Sequence, residues 1–204
     1  PEAPATHALA MNTICAKSCS WVGREEPKRF ISNIINKNVQ TEYSSTTKLG
    51  IPFELIDSNG NKITEKAFIG SPTALFFGFA HCPDVCPLTL HRISLLMEKL
   101  GNKQNKLNVY FITLDPERDT WKFLNEYLIT FNDRIVGITG ESKKIKALAK
   151  SWGIHSKKVS SEGENYLIDH TGLVILLDKN GNFLNTIDYK DDFELSLKAI
   201  KSIL

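Results

Sequence analysis

One stretch, residues 73–90, constrains this chain more than any other. It opens with an apolar, aromatic-rich run from Thr73 to Ala80, which predicts a buried strand. Two cysteines follow, Cys82 and Cys86, and a proline stands directly after each of them. Beyond them, apolar residues at i, i+3, i+4 and i+7 predict a helix with one buried face, formed by Ile93, Leu96, Met97 and Leu100.

Cys82 and Cys86 are therefore expected in the first helical turn after a central strand. Their spacing of four residues would place both sulfurs on one side of that turn. The free amides and the positive end of the helix dipole favour thiolate over thiol there. Such a pair suits either thiol redox chemistry or a soft metal ion, and the spacing alone leaves both open.

Composition narrows the class of protein. The chain has 204 residues, 42% of them hydrophobic, a net charge of +2 and lysines spread along its length, so we expect no nucleic acid partner. Four cysteines, in two C-x-x-x-C pairs, are too few for a disulfide scaffold and indicate thiol redox chemistry or metal binding. No run of about 20 apolar residues is present, so we expect no membrane anchor in the chain as given.

The chain divides near Leu49. Residues 1–48 are a leader or linker segment with a low-complexity start. They carry the second pair, Cys15 and Cys19, which could form another metal or disulfide site or be unrelated to the domain. Residues 49–204 read as one regular domain. Its predicted order is a β-hairpin with an Asn-Gly turn, then β, α, β, α, β, α, β, β, α. This order predicts a mixed sheet covered on both faces by helices and closed by an antiparallel hairpin.

His170 is the favoured third ligand among the five histidines. It precedes the apolar strand Leu173–Leu177, so we expect it in a strand-end loop that faces Cys82 and Cys86. Asp169 beside it could orient the imidazole. His81 could be an additional ligand or a thiolate-stabilising cation, although a solvated neighbour is the favoured interpretation. We treat His7, His91 and His155 as surface residues.

Acidic residues mark two further loops. Asp84, between the cysteines, could satisfy loop amides or tune the site. The run Asp115-Pro-Glu-Arg-Asp119 follows a strand that ends on the same sheet edge. The favoured interpretation is a turn with an Arg118–carboxylate pair and a helix cap at Asp119 or Thr120. The alternative is a role in docking a partner or supporting the site.

Taken together, these motifs resemble the Sco/SenC family of copper chaperones. The resemblance rests on residues 77–90 (FGFAHCPDVCPLTL), 115–120 (DPERDT), 139–140 (TG) and 166–170 (YLIDH), and it covers Leu49 to the C-terminus. It implies a thioredoxin-like domain that binds copper, Cu(I) or Cu(II), through Cys82, Cys86 and His170. The family also implies an extracytoplasmic location, at the periplasmic face of a bacterial inner membrane or in the mitochondrial intermembrane space.

The partner implied by the resemblance is subunit II of cytochrome c oxidase, with another copper chaperone as a possible donor. The chain would deliver copper to that subunit's binuclear site, reduce its cysteines, or do both. An enzyme, a thiol-disulfide oxidoreductase using Cys82 and Cys86, is the alternative. No proline stands where such enzymes carry their loop proline, which counts against it, and three converging ligands are too few for a structural zinc module.

Overall fold

A computed structural model describes residues 50–160 and 166–204 of the chain. Within these ranges the strands are β1 (Glu54–Asp57), β2 (Lys62–Thr64), β3 (Thr73–Gly78), β4 (Asn108–Thr113), β5 (Ile135–Thr139), β6 (Ser156–Ser160), β7 (Tyr166–His170), β8 (Leu173–Leu177) and β9 (Phe183–Asp188). The α-helices are α1 (Val85–Leu100), α2 (Trp121–Ile129), α3 (Ser142–Ser151) and α4 (Phe193–Lys201), and short 3-10 helices span Glu65–Phe68 and Gly101–Lys106.

Seven strands form one mixed sheet in the order β2-β1-β5-β4-β3-β8-β9. The central strands β3, β4 and β5 run parallel, because α1 and α2 carry the chain back between them. The hairpin β8–β9 joins β3 in the antiparallel direction and closes that edge. Every residue of β3 is buried, as its uninterrupted apolar run predicts.

Helices cover both faces of this sheet. Successive side chains of β4 point to opposite faces of the sheet. The contacts of the adjacent residues Tyr110 and Phe111 therefore show which helices cover each face. Phe111 contacts Tyr127 of α2, and on the same side Ser94 of α1 donates a hydrogen bond to the carbonyl of Phe131, just after α2. Tyr110 faces Phe68, which in turn packs against Trp152 at the end of α3. The predicted mixed sheet with helices on both faces is confirmed.

The predicted N-terminal hairpin is also confirmed, with Gly60 of its turn at φ +83°. One boundary was wrong. Helix α1 begins at Val85, so Cys82 lies in the preceding loop and only Cys86 belongs to the first helical turn. Pro83 and the N-cap residue Asp84 lie between Cys82 and the first helical residue, because the chain uses them to turn from the strand into the helix axis. The segment with Cys15 and Cys19 lies outside the described residues.

The separate two-stranded sheet β6–β7 was not predicted. Its strands pair from Ser156 with His170 to Ser160 with Tyr166, and they do not join the seven-stranded sheet. His170 is therefore the last residue of a strand instead of a loop residue. In the described part of the chain, no helix combines the length and the apolar character that crossing a membrane requires.

Packing at Gly137 gives a test of the fold. A Cβ there would lie 2.9 Å from Leu128 Cδ1 and 3.0 Å from Leu124 Cβ, so α2 rests on β5 only because residue 137 has no side chain. We expect Gly137→Ala to lower the free energy of unfolding by about 1–3 kcal/mol through overpacking, measured by chemical denaturation. An unchanged unfolding midpoint would contradict this description of the α2–β5 contact.

Candidate metal centre

The two cysteines lie at the carboxyl end of β3, against the sheet. Cys82 is 8% exposed and Cys86 is fully buried, and both are free thiols. The amide of Cys82 donates to the carbonyl of Phe79, which makes a tight turn out of the strand. A Cβ on Gly78 would stand only 2.8 Å from the sulfur of Cys86. The glycine at the strand end therefore makes the room that this sulfur occupies.

His170 reaches the cysteines from the end of β7. Its Nε2 lies 3.4 Å from the Sγ of Cys86, and the two sulfurs and a ring nitrogen of His170 all lie within 4.8 Å of one another. The ring packs edge-on against Phe79, with centroids 5.7 Å apart. The structure thus brings together the three residues that the sequence singled out. Within the described ranges, no other Cys, His, Asp or Glu joins this group.

A backbone carbonyl fixes the tautomer of His170. Nδ1 lies 3.0 Å from the carbonyl oxygen of Thr171, which can only accept, so Nδ1 carries the proton. Nε2 then presents its lone pair to the sulfurs, as a metal ligand must. The suggested role of Asp169 was wrong, because Asp169 neighbours His170 on a strand and adjacent side chains point to opposite faces. Sequence patterns carry no signal for a carbonyl partner of this kind.

The two thiols differ in acidity. The pKa of Cys82 falls to about 4, chiefly because the Cys86 thiol donates a hydrogen bond to its sulfur. Burial opposes this fall, and a hydrogen bond with His170 adds to it. The pKa of Cys86 rises well above 9.0, because that thiol is fully buried and lies against the Cys82 thiolate. The metal-free, reduced site therefore holds one thiolate and one thiol at neutral pH. The expectation that the helix start favours thiolate over thiol agrees with the lowered pKa of Cys82 and not with the raised pKa of Cys86.

His81 is exposed to solvent, as the favoured interpretation expected, and does not belong to the three-residue group, but its side chain also has partners in the domain. Its Nδ1 lies 3.2 Å from Oδ1 of the buried Asp119, and its ring stacks on Phe123 with centroids 5.2 Å apart. The second carboxylate oxygen of Asp119 accepts from the amide of Ala80 at 2.9 Å and the hydroxyl of Thr113 at 2.6 Å. Asp119 thus joins the loop before Cys82 to the end of β4. Burial raises the pKa of Asp119, and these hydrogen bonds oppose that rise.

The run 115–119, here named the DPERD loop, forms the predicted turn. Arg118 pairs with the buried carboxylate of Asp115, and the helix cap is Thr120, whose hydroxyl accepts from the amide of Phe123. The sequence did not predict the link to β7. The hydroxyl of Tyr166 donates to Oδ1 of Asp115 at 2.6 Å, and Arg118 donates to the carbonyl of Tyr166 at 3.1 Å.

The remaining candidates lie at the surface. Asp84 is exposed and its side chain makes no capping hydrogen bond, so the suggested role of satisfying loop amides is not what the structure shows. His91 and His155 are exposed, as expected. His7, Cys15 and Cys19 lie outside the described residues.

Two sulfurs and one neutral imidazole nitrogen form a donor set for a soft metal. Thiolate and imidazole ligands at low coordination number suit Cu(I), whereas structural zinc sites use four ligands. Two thiolates with Cu(I) leave a net charge of −1, and the first turn of α1, with its free amides, lies beside that charge. Because metal binding requires both thiols deprotonated, loading would release the proton that Cys86 holds.

Comparison with known proteins agrees with this chemistry. The model of the SCO1/SenC family matches residues 41–204. The chain belongs to that family. Among its relatives are the SCO2-like protein RP587 of Rickettsia prowazekii, 38% identical over 146 residues and 70% of each chain, and the mitochondrial Protein SCO2 of Saccharomyces cerevisiae, 35% identical over 95% of this chain and 64% of the yeast protein.

Solved structures of the family include proteins with copper bound. ScoI of Bradyrhizobium japonicum with copper superposes with a TM-score of 0.72 at 38% identity, covering 76% of this chain and 99% of that one. Copper-bound yeast Sco1 gives a TM-score of 0.66 at 34% identity, covering 77% of this chain and 91% of the yeast chain. These matches confirm the predicted thioredoxin-like fold.

The unequal thiols predict a stepwise titration. In a Cys15→Ser/Cys19→Ser background, reduced and metal-free, we expect one thiolate to form as the pH rises through about 4, while the second thiol stays protonated well above pH 9.0. The pKa of Cys82 is lower in the folded chain than in the unfolded chain. The thiolate therefore contributes its full stabilisation of the fold above pH 9.0. That contribution is lost as the pH falls towards 4.

Ultraviolet thiolate absorbance measures the titration, and Cys86→Ala is the control. Removing the donor thiol should raise the pKa of Cys82, because the hydrogen bond from Cys86 is the largest cause of its depression. Two thiols that titrate together near the ordinary value would contradict the described pairing.

Proposed function

We propose that this chain is a copper chaperone that binds one copper ion through Cys82, Cys86 and His170. The observation that carries the proposal is the convergence of these two sulfurs and a ring nitrogen within 4.8 Å, from two segments that are far apart in the chain. Both sulfurs are buried, the ring of His170 packs on Phe79, and Gly78 leaves room for the sulfur of Cys86, so the ligands are already close together without metal. Such a site favours a soft, monovalent ion over strongly hydrated divalent ions.

The relatives support copper as the cargo. Sco proteins from Bradyrhizobium japonicum, Arabidopsis thaliana and yeast, each at least 34% identical to this chain, have been solved with copper bound. Cu(I) and Cu(II) differ in preferred coordination: Cu(I) is satisfied by three soft ligands, and Cu(II) takes additional ones. The described donor set favours Cu(I) as the state that is carried.

The partner that we propose is subunit II of cytochrome c oxidase, with a second copper chaperone as donor. Family membership supports this assignment, which includes an extracytoplasmic location, in the mitochondrial intermembrane space or the bacterial periplasm. Some relatives are named as mitochondrial proteins. The chaperone domain would be residues 49–204, preceded by the separate segment 1–48.

A thiol-disulfide reductase is the second candidate, favoured by the depressed pKa of Cys82. The Cys82 thiolate would attack a partner disulfide and form a mixed disulfide, and Cys86 would then displace the partner. The partner gains two electrons from this chain and two protons, one from the Cys86 thiol and one from solvent, while this chain is left with a Cys82–Cys86 disulfide. Because that disulfide has no thiolate to offer a metal, copper loading and this reaction exclude each other.

Substitution of His170 separates the two candidates. We expect His170→Ala to weaken Cu(I) binding at least tenfold, since one of three ligands is lost, while reduction of a model disulfide by Cys82 and Cys86 is largely retained. Anaerobic competition against a chromophoric Cu(I) chelator measures the affinity, and X-ray absorption reports the ratio of sulfur to nitrogen ligands. His91→Ala, an exposed histidine on α1, is the matched control.

The parent protein should bind one Cu(I) with two sulfur ligands and one nitrogen ligand. Parent-like Cu(I) affinity in His170→Ala would overturn the ligand assignment. Four sulfur ligands would instead bring Cys15 and Cys19 into the site.

A further inference from the structure

The β6–β7 hairpin carries His170 without sharing a ladder with the main sheet. At its base, the amide of Thr171 donates to the carbonyl of His155, and the amide of His155 donates to the hydroxyl of Thr171, both at 3.1 Å. The position of the imidazole must therefore depend strongly on side-chain contacts. The ring of His170 itself packs near Phe76 and Phe79. The contacts of the hairpin with the DPERD loop concentrate on Tyr166, at the opposite end of β7.

Tyr166 and His170 lie on one face of β7. They are four residues apart, so their side chains point the same way and their Cα atoms are separated by about 13 Å. Ile168 lies between them on that face and is buried. A strand fixed at both ends of one face cannot rotate or slide freely. The ring of Tyr166 is thus placed to fix the hairpin against the domain.

The contacts of Tyr166 are numerous and directed at the DPERD loop. Its hydroxyl donates to Asp115 at 2.6 Å, and Asp115 is only 1% exposed. The guanidinium of Arg118 lies 3.8 Å from the ring centroid while it also donates to the Tyr166 carbonyl and pairs with Asp115. Lys158 of β6 stacks on the ring at 4.1 Å and pairs with Glu117 at 2.7 Å.

The other end of the DPERD loop holds the cysteine loop. Asp119 accepts from the amide of Ala80, two residues before Cys82, and pairs with His81. Asp115 and Asp119 are themselves joined, because the amide of Asp119 donates to the carbonyl of Asp115 at 2.9 Å. One rigid loop therefore contacts both the segment with Cys82 and the strand with His170.

We propose that the DPERD loop sets the distance between the dithiol and the histidine, and that Tyr166 is the positioning residue for His170. Tyr166 does not touch the site itself. Its hydroxyl on Asp115 keeps the hairpin docked, and only the docked hairpin brings Nε2 to the sulfurs. The role in metal binding rests on the proposed copper site, but the positioning of His170 can be tested without metal.

Tyr166→Phe removes the hydroxyl and leaves the ring for Arg118 and Lys158. We expect Cu(I) affinity to fall on the order of tenfold, because the loss of a hydrogen bond to a charged acceptor lowers the fraction of molecules with the hairpin docked. Tyr110→Phe is the matched control: it removes a hydroxyl that donates to the carbonyl of Ala67, on the other face of the sheet. That variant should bind Cu(I) like the parent.

A double-mutant cycle distinguishes positioning from general stability. In the His170→Ala background, Tyr166→Phe should have no further effect on Cu(I) affinity, since no imidazole is left to position. An equal loss in both backgrounds would overturn the inference, as would parent-like affinity of Tyr166→Phe when His170→Ala is weakened. Thermal unfolding of each variant confirms that the domain is folded.

A measurement on the metal-free protein gives independent support. His170 packs against Phe79, so its reaction with diethyl pyrocarbonate should be slow in the parent and several-fold faster in Tyr166→Phe. Peptide mass spectrometry resolves the site, and exposed His91 is the internal reference. An unchanged rate would overturn the positioning role. This outcome remains informative even if copper binding itself is disproved.

Discussion

The contact between the sulfur of Cys86 and Nε2 of His170 is the interaction on which the rest of this structure depends. These atoms lie 3.4 Å apart although the residues are 84 positions apart in the chain. Their meeting requires that β3 deliver the cysteines to one edge of the sheet and that the β6–β7 hairpin return to the same edge. The parallel core, the glycine at the end of β3 and the DPERD loop all serve that geometry.

Burial gives the site its chemical character. A dithiol in water would carry two ordinary thiols, but here a fully buried Cys86 keeps its proton and shares it with Cys82. A low-dielectric setting tolerates one negative charge far better than two. The same constraint suits a monovalent cation, which would bring the site with both thiolates back to a charge of −1. It also leaves one reactive thiolate when no metal is bound.

Much of the fold follows from local patterns. The apolar run from Thr73 predicts a buried strand, and β3 is buried at every residue. The 3.6-residue periodicity of α1 and the Asn-Gly turn before β2 are equally local signals, and both are confirmed. The β6–β7 hairpin escaped prediction because its strands pair outside the main sheet and much of its surface is polar, so alternation of apolar and polar residues is weak there.

The chemistry of the candidate site was determined by the sequence itself, since residue type decides what a sulfur or an imidazole can bind. Cys82, Cys86 and His170 could be selected from motifs and order along the chain. Only the tertiary structure decided how each one is held: the carbonyl of Thr171 on Nδ1, the unequal thiols and the link from Tyr166 to Asp115. These depend on distances between segments remote in sequence and on burial, and neither quantity is encoded in any local pattern.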